Sequence, residues 1–337
     1  MILRSYKKNV AEGLGFVIFS IIFGIIMRGV YFFSIPNPAI YTDGLPGGYL
    51  WNLVSPLFSN PIISLLGSTV CVVLIIIILA HINTKYVLIR RKTSLHIAFC
   101  ILLFSCHPGM IFMNANYISA IFVLAAISRM FGSYSTNRKS KSALEVSFII
   151  ALGSMFNLGL ILFFPVFWIG LALMRSFGFR AFFASLFSIF CVYLPAYTYF
   201  LFTNQVELFL SPFELVNANT LSQLPILGFE YPDWAIVGFT FFLIVTILVY
   251  NYMINYKDKI RVRALVSSLN LIVVFSFIVL LFVNINIGNA LYILLAVGTL
   301  LLTHFFALAE ERWIAYLFYL SIIIYLGSIS LTFRPML

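Results

Sequence analysis

Negative charge is what this chain has least of. Only 10 of its 337 residues are Asp or Glu, and between Glu12 and Glu145 a single acid occurs, Asp43. All charged residues together make up 9% of the sequence, against 63% hydrophobic. A soluble domain carries about 25% charge, so that class is excluded. Cysteine is scarce as well. Cys71, Cys100, Cys106 and Cys191 stand singly inside apolar stretches, without the paired spacing of a disulfide framework or a zinc site, and read as small buried apolar residues. The alternating segments of about 10 residues that build a transmembrane barrel are missing. So are a Gly-rich phosphate loop with its Lys, a paired-His zinc helix and a Gly-x-Ser-x-Gly elbow. No acid lies at the centre of an apolar run, which disfavours an ion-coupled pump.

What is present is a succession of apolar runs, many of them about 20 residues long, enough to cross about 30 Å of hydrocarbon as a helix. The spacing places spans at 11–33, 60–82, 93–113, 117–132, 143–157, 159–174, 181–202, 233–252, 265–284, 289–308 and 313–332. The intervals leave no room for a soluble domain. The fold class expected is therefore all-α, a polytopic transmembrane helix bundle of about 11 spans. The pairs 93–132 and 143–174 contain short members and read as tight helical hairpins, broken by HPGMIFMNAN and by Asn157-Leu158-Gly159. The start, MILRSYKKNV, resembles a signal peptide, but no small-x-small cleavage site follows before YFFSIPNP, so an uncleaved first span is expected.

Basic residues orient the bundle. With a cytoplasmic amino terminus, the inner loops collect all but two of the 20 Lys and Arg, leaving Arg28 and Arg334 outside. The net charge of +10 is thus mostly a topology signal. It lies in short loops where it can attract anionic lipid heads, not on a basic, aromatic-rich soluble face, so no nucleic-acid partner is expected. The localisation expected is the bacterial cytoplasmic (inner) membrane, with membrane lipids as partners.

Two outer loops are long, about 34–59 and 203–232. The first reads SIPNPAIYTDGLPGG and then turns amphipathic through Tyr49, Leu50, Trp51, Leu53, Val54 and Leu57. The second carries Glu207, Glu214 and Glu230, with Asp233 just beyond, and no Lys or Arg. Its Leu208, Phe209, Leu210 and Phe213 suit a helix lying on the membrane surface. Loops of this length in a compact bundle are commonly functional.

Several residues have two readings. Asp43-Gly44 is a common turn pair, but a lone outer acid also suits a general base or a metal ligand. Arg28, near the outer end of the first span, can snorkel to water, pair with Asp43 or bind a phosphate through its fork of donors. His107, before Pro108-Gly109, reads as a hydrogen-bonded helix-end residue or as a member of the outer site. The three loop glutamates are solvated acids, or one of them joins Asp43 around a divalent cation, the only cofactor expected. Asn114 and Asn116 suit support of the first hairpin turn.

The order of parts, a first span, a long outer loop, a second span, two short hairpins, a seventh span and a second long outer loop, resembles the shared module of the GT-C glycosyltransferases. The resemblance covers about 1–232, with 233–337 as a four-span carboxy-terminal bundle. It implies a transferase taking a sugar from a polyprenyl-phosphate carrier at the outer face. In it Asp43 would be the catalytic acid of the first outer loop and Arg28 the contact to the carrier phosphate. His107, Glu207 and Glu214 would lie around the substrate. The chain departs from that family in having no adjacent acidic pair at Asp43 and no basic residue in the second outer loop. A non-catalytic lipid-binding or scaffold subunit of a cell-envelope assembly with a protein partner in the membrane, or a lipid or saccharide flippase, fits the same outline.

Overall fold

The computed structural model of the chain describes residues 6–34, 47–219, 231–254, 259–282, 287–308 and 311–333. Every regular element among them is helical. A π-helical turn at Lys7–Ala11 leads into α1 (Gly15–Ser34). The short α2 (Tyr49–Val54) runs into a 3-10 turn at Ser55–Phe58, followed by α3 (Pro61–Tyr86). The two hairpins follow as α4 (Leu95–Leu103) with α5 (Ala115–Gly132), and α6 (Lys139–Phe156) with α7 (Phe164–Leu173). Then come α8 (Phe179–Phe202), the loop helix α9 (Val206–Asn219), α10 (Tyr231–Ile254), α11 (Ile260–Phe282), α12 (Ile287–Ala307) and α13 (Arg312–Phe333).

Seven helices, α1, α3, α5, α8, α10, α11 and α12, are long and apolar enough to cross a membrane. The other apolar runs are helical in their expected places, and two of them are short: α4 has 9 residues and α7 has 10. Both hairpins break where polar caps can satisfy the freed backbone. Asn114 accepts the Asn116 N–H at 3.1 Å to open α5, and Asn157 accepts the Gly159 N–H at 3.1 Å to open a 3-10 turn before α7. Such side-chain caps replace the missing partners of a helix's first amides. Asn60 does the same for α3, ahead of Pro61 at the first helical position.

The other end of α3 is less well chosen. Val87 closes the helix with φ at 49°, a left-handed conformation that crowds a β-branched side chain. The side chain is exposed and contributes little packing. Val87→Gly is therefore expected to stabilise the protein by about 1 kcal/mol, seen as a raised melting temperature in detergent.

At the centre lies α12. Of its 18-residue apolar window 94% is buried, against 22% for α8 at the periphery. It packs against α4, α5 and α11, and Phe306 near its end stacks on Phe99 of α4 at 5.5 Å. One apolar core runs from the first helix to the last. Outward faces carry large apolar side chains such as Ile25, Ile77 and Phe187, each more than half exposed. Apolar surface on that scale suits lipid contact and not water. Three of the four thiols are buried as expected, but Cys191 is exposed. It sits on peripheral α8, so its helix position, not its chemistry, sets its environment.

Contacts between helix ends sort the chain into two faces. At one, Tyr6 donates to the Phe306 carbonyl at 2.9 Å, Tyr250 meets Trp313, and Arg261 lies over Tyr86 and Tyr134. Glu145 pairs there with Arg129 and Lys141 at 3.9 and 3.8 Å, exposed contacts that add little stability. The other face gathers the end of α1, the start of α3, the α4–α5 and α6–α7 breaks, the end of α8 and the start of α12. Among the described residues, Arg28 is the Lys or Arg found at that second end.

Candidate functional site

The second end owes its shape to small residues. In α3 the run PIISLLGSTVC puts Ser64, Gly67, Ser68 and Cys71 at helical spacing i, i+3, i+4 and i+7, hence on one face. That face lets a non-helical stretch of chain lie against it. Ser64 Oγ accepts the Met113 N–H at 2.8 Å, Ser68 Oγ donates to the Ile111 carbonyl, and Cys71 Sγ lies 3.6 Å from Met113 Sδ. A Cβ on Gly67 would come within 2.6 Å of Phe58. The residues between α4 and α5, from Phe104 to Asn114, are nearly all buried. Irregular backbone at membrane depth is tolerated where protein encloses it, which this packing supplies.

Helix α1 approaches the same place. A Cβ on Gly24 would meet Ile101 at 2.7 Å, so the absence of a side chain allows α1 to close on α4. Arg28, one turn later, is thereby carried inward. It does not snorkel. The residue is 8% exposed, and Nη1 donates to Ser68 Oγ at 2.9 Å. Its Nη2 is buried and has no hydrogen-bond partner among the described residues. The Tyr117 hydroxyl lies within hydrogen-bonding reach of the guanidinium, and the thiols of Cys71 and Cys100 and the Tyr292 hydroxyl lie within its electrostatic range. All are neutral. The carboxylates with described side chains, Glu12, Glu145, Glu207 and Glu311, sit at least partly exposed and make no ion pair with it.

Around this cation the polar groups are tied to one another. Tyr117 donates to the Met110 carbonyl, and Tyr292 donates to the Gly109 carbonyl at 2.9 Å while accepting from the Asn114 amide at 2.8 Å. Asn157 donates to Asn116 Oδ1 at 2.8 Å, joining the two hairpin breaks. Fully connected buried networks of this kind hold geometry firmly. The guanidinium with its open nitrogen is thus held in a rigid neutral shell. An unpaired buried cation is costly, and an anion with two oxygens would complete it.

The surface segments meet nearby. The Gly48 N–H donates to the Phe156 carbonyl at 2.8 Å, next to Asn157. A Cβ there would stand 2.2 Å from the Met155 carbonyl oxygen, so glycine is required by contact. Tyr49 stacks on Phe209 of α9 at 5.2 Å and 5°, and its hydroxyl donates to the Phe209 carbonyl. Burial raises the Tyr49 phenol above its ordinary pKa, with Tyr193 adding to the shift, so it stays a donor. This pair joins the segment after α1 to the segment after α8.

The residues singled out from sequence fare differently. Arg28 lies at the centre of the shell. His107 caps the 3-10 turn Pro108–Met110, its Nδ1 accepting at 3.1 Å the N–H of Gly109, the residue whose carbonyl Tyr292 bonds. Glu207 is exposed in the first turn of α9, and Glu214 lies further along that helix. Asp43 and Glu230 lie outside the described residues. Among the described residues no three His, Cys, Asp or Glu side chains converge as metal ligands. Ser68, Tyr117 and Tyr292 are absent from the residues expected at the site, and Asn157 was expected only to turn the second hairpin. The signal for Ser68 was its place in the small-residue stripe of α3; Tyr292 had none, because it arrives from a distant part of the chain. Comparison with protein-family models, curated proteins and solved structures returns no match to this chain.

Proposed function

We propose that this integral membrane protein binds the phosphate of a lipid carrier through Arg28 and transfers the attached sugar in the manner of a GT-C glycosyltransferase. One observation carries the reading: a nine-tenths buried guanidinium with an open nitrogen and no carboxylate beside it among the described residues. Such a group is costly in an apolar interior unless an anion joins it. The carrier's phosphate offers paired oxygens that match the guanidinium fork. Within this reading the bundle has eleven spans, the amino terminus faces the cytoplasm of a bacterial cell and Arg28 faces out. Asp43 takes the proton of an acceptor hydroxyl as its oxygen bonds to the sugar's anomeric carbon. The bond to the carrier phosphate breaks, and its electron pair stays on the phosphate oxygen. His107, Glu207 and Glu214 lie toward the sugar.

The second reading, a lipid-binding subunit without catalysis, is favoured by one feature. The described shell around Arg28 consists of hydroxyls, amides, thiols and carbonyls, with no general base. Asp43→Asn separates the two. Purified protein given a polyprenyl-phosphate sugar and an acceptor should lose turnover by about 10²- to 10⁴-fold in that variant while retaining the carrier. Carrier binding without turnover in the unaltered protein supports the subunit instead. Failure of the unaltered protein to retain the carrier removes both.

A further inference from the structure

A second cationic centre lies at the opposite end of the bundle and owes nothing to Arg28. Tyr86 closes α3 with its ring nearly buried, edge-on to Phe131 at 5.5 Å, and its hydroxyl donates to the Ser128 carbonyl at 2.6 Å. The ring is therefore fixed, and two cations converge on it. Lys85 Nζ lies 5.5 Å from its centroid and the Arg261 guanidinium 5.8 Å. Arg261 is also 5.9 Å from the ring of Tyr134, so two aromatic faces orient it. Lys85 and Arg261 are both exposed, so a headgroup of the surrounding bilayer can reach them.

No described carboxylate pairs with Lys85 or Arg261. Glu145 is taken by Arg129 and Lys141. Like charges gathered around one ring repel and favour a shared counter-anion. The place is telling: Tyr86 ends an apolar span, the level at which Tyr rings meet lipid headgroups. Clustered cations at this level attract anionic headgroups, and guanidinium edges suit a phosphate diester. We propose that Lys85 and Arg261, aligned by Tyr86 and Tyr134, form a headgroup site for one anionic phospholipid of the surrounding bilayer.

The test uses the full chain in nanodiscs of equal parts phosphatidylglycerol and phosphatidylcholine, with lipid retained after detergent extraction read by native mass spectrometry. The unaltered protein should retain phosphatidylglycerol preferentially. Lys85→Gln with Arg261→Gln should weaken retention by about fivefold for each cation removed. Arg129→Gln with Lys141→Gln removes equal charge at the same end and should leave retention unchanged. Equal losses in both pairs would reduce the site to diffuse attraction and overturn the proposal, as would no loss in either. Should the first pair fail to fold, Arg261→Lys keeps the charge without the planar fork and should still lower retention; unaltered retention there overturns the proposal. A last arm adds inorganic phosphate to nanodiscs of phosphatidylcholine alone. Thermal stabilisation equal to that from phosphatidylglycerol would mean a phosphate site and not a lipid site.

Discussion

Arg28→Gln is expected to weaken binding of polyprenyl phosphate by about 10- to 100-fold, the loss of about 1.5–3 kcal/mol carried by a charge-assisted hydrogen bond. The companion measurement is stability without ligand, and it decides what the arginine is for. A structural arginine, fully paired, would cost about 3–5 kcal/mol to remove. Here Nη1 donates to Ser68 and the Tyr117 hydroxyl stands against the guanidinium, while Nη2 has no hydrogen-bond partner among the described residues and no described carboxylate is left stranded by the change. Ligand-free stability should therefore hold or rise, because a buried cation is replaced by a neutral amide of shorter reach. Arg28→Lys keeps the charge and loses the planar fork, so its affinity should fall between the two. Reduced ligand-free stability with unaltered affinity would make the guanidinium a packing element and remove the anion site.

Asn157→Ala should have the largest effect on stability, about 2–4 kcal/mol. The side chain is 1% exposed and makes two hydrogen bonds, from its amide to Asn116 Oδ1 and from the Gly159 N–H to its own oxygen. Truncation strands both partners in a dry interior, at about 1–3 kcal/mol for each unsatisfied group. It also opens the turn that separates α6 from α7. Asn157→Asp keeps the acceptor for Gly159 and loses the donor, so it should retain part of the stability unless the new charge is itself buried. Denaturation by increasing mole fraction of a strong detergent, followed by circular dichroism, gives the comparison. A loss below about 0.5 kcal/mol would mean that the two hairpin breaks are not held together by this contact.

Much of the helix layout was legible because its causes are local. A run of about 20 apolar residues is a helix in hydrocarbon whatever its neighbours, since every backbone group must be satisfied within the segment. The breaks at Pro108-Gly109 and at Asn157-Leu158-Gly159 were legible for the same reason, as turn and cap residues act within two or three positions. The amphipathic reading of 49–57 and of a piece of the second outer loop, about 203–232, also followed from nearest neighbours along the helix, and Tyr49 and Phe209 are buried members that meet.

The site was legible only in part. Arg28 drew notice because a charge in an apolar run is costly, and nothing along the sequence could say whether it turned to water or inward. That depended on Gly24 admitting α1 to Ile101 and on Ser68 presenting an acceptor from a helix 40 positions away. The environment of Cys191 went the other way from that of Cys100, although both lie in similar apolar runs, because α8 lies at the edge and α4 against the axis.

By itself, then, the amino-acid order determined that this chain is a helical membrane protein, where its helices stand and which loops collect its positive charge. Those follow from hydrocarbon thickness, helical period and the cost of burying charge, all properties of a segment taken alone. Only the tertiary structure decided that α12 is the buried axis, that Tyr292 and Asn114 meet beside Arg28, and that a guanidinium keeps an open nitrogen in a neutral shell. Those facts depend on which helices lie against one another. Among uniformly apolar faces, that choice rests on small residues and a few hydrogen bonds spread over 300 positions of chain.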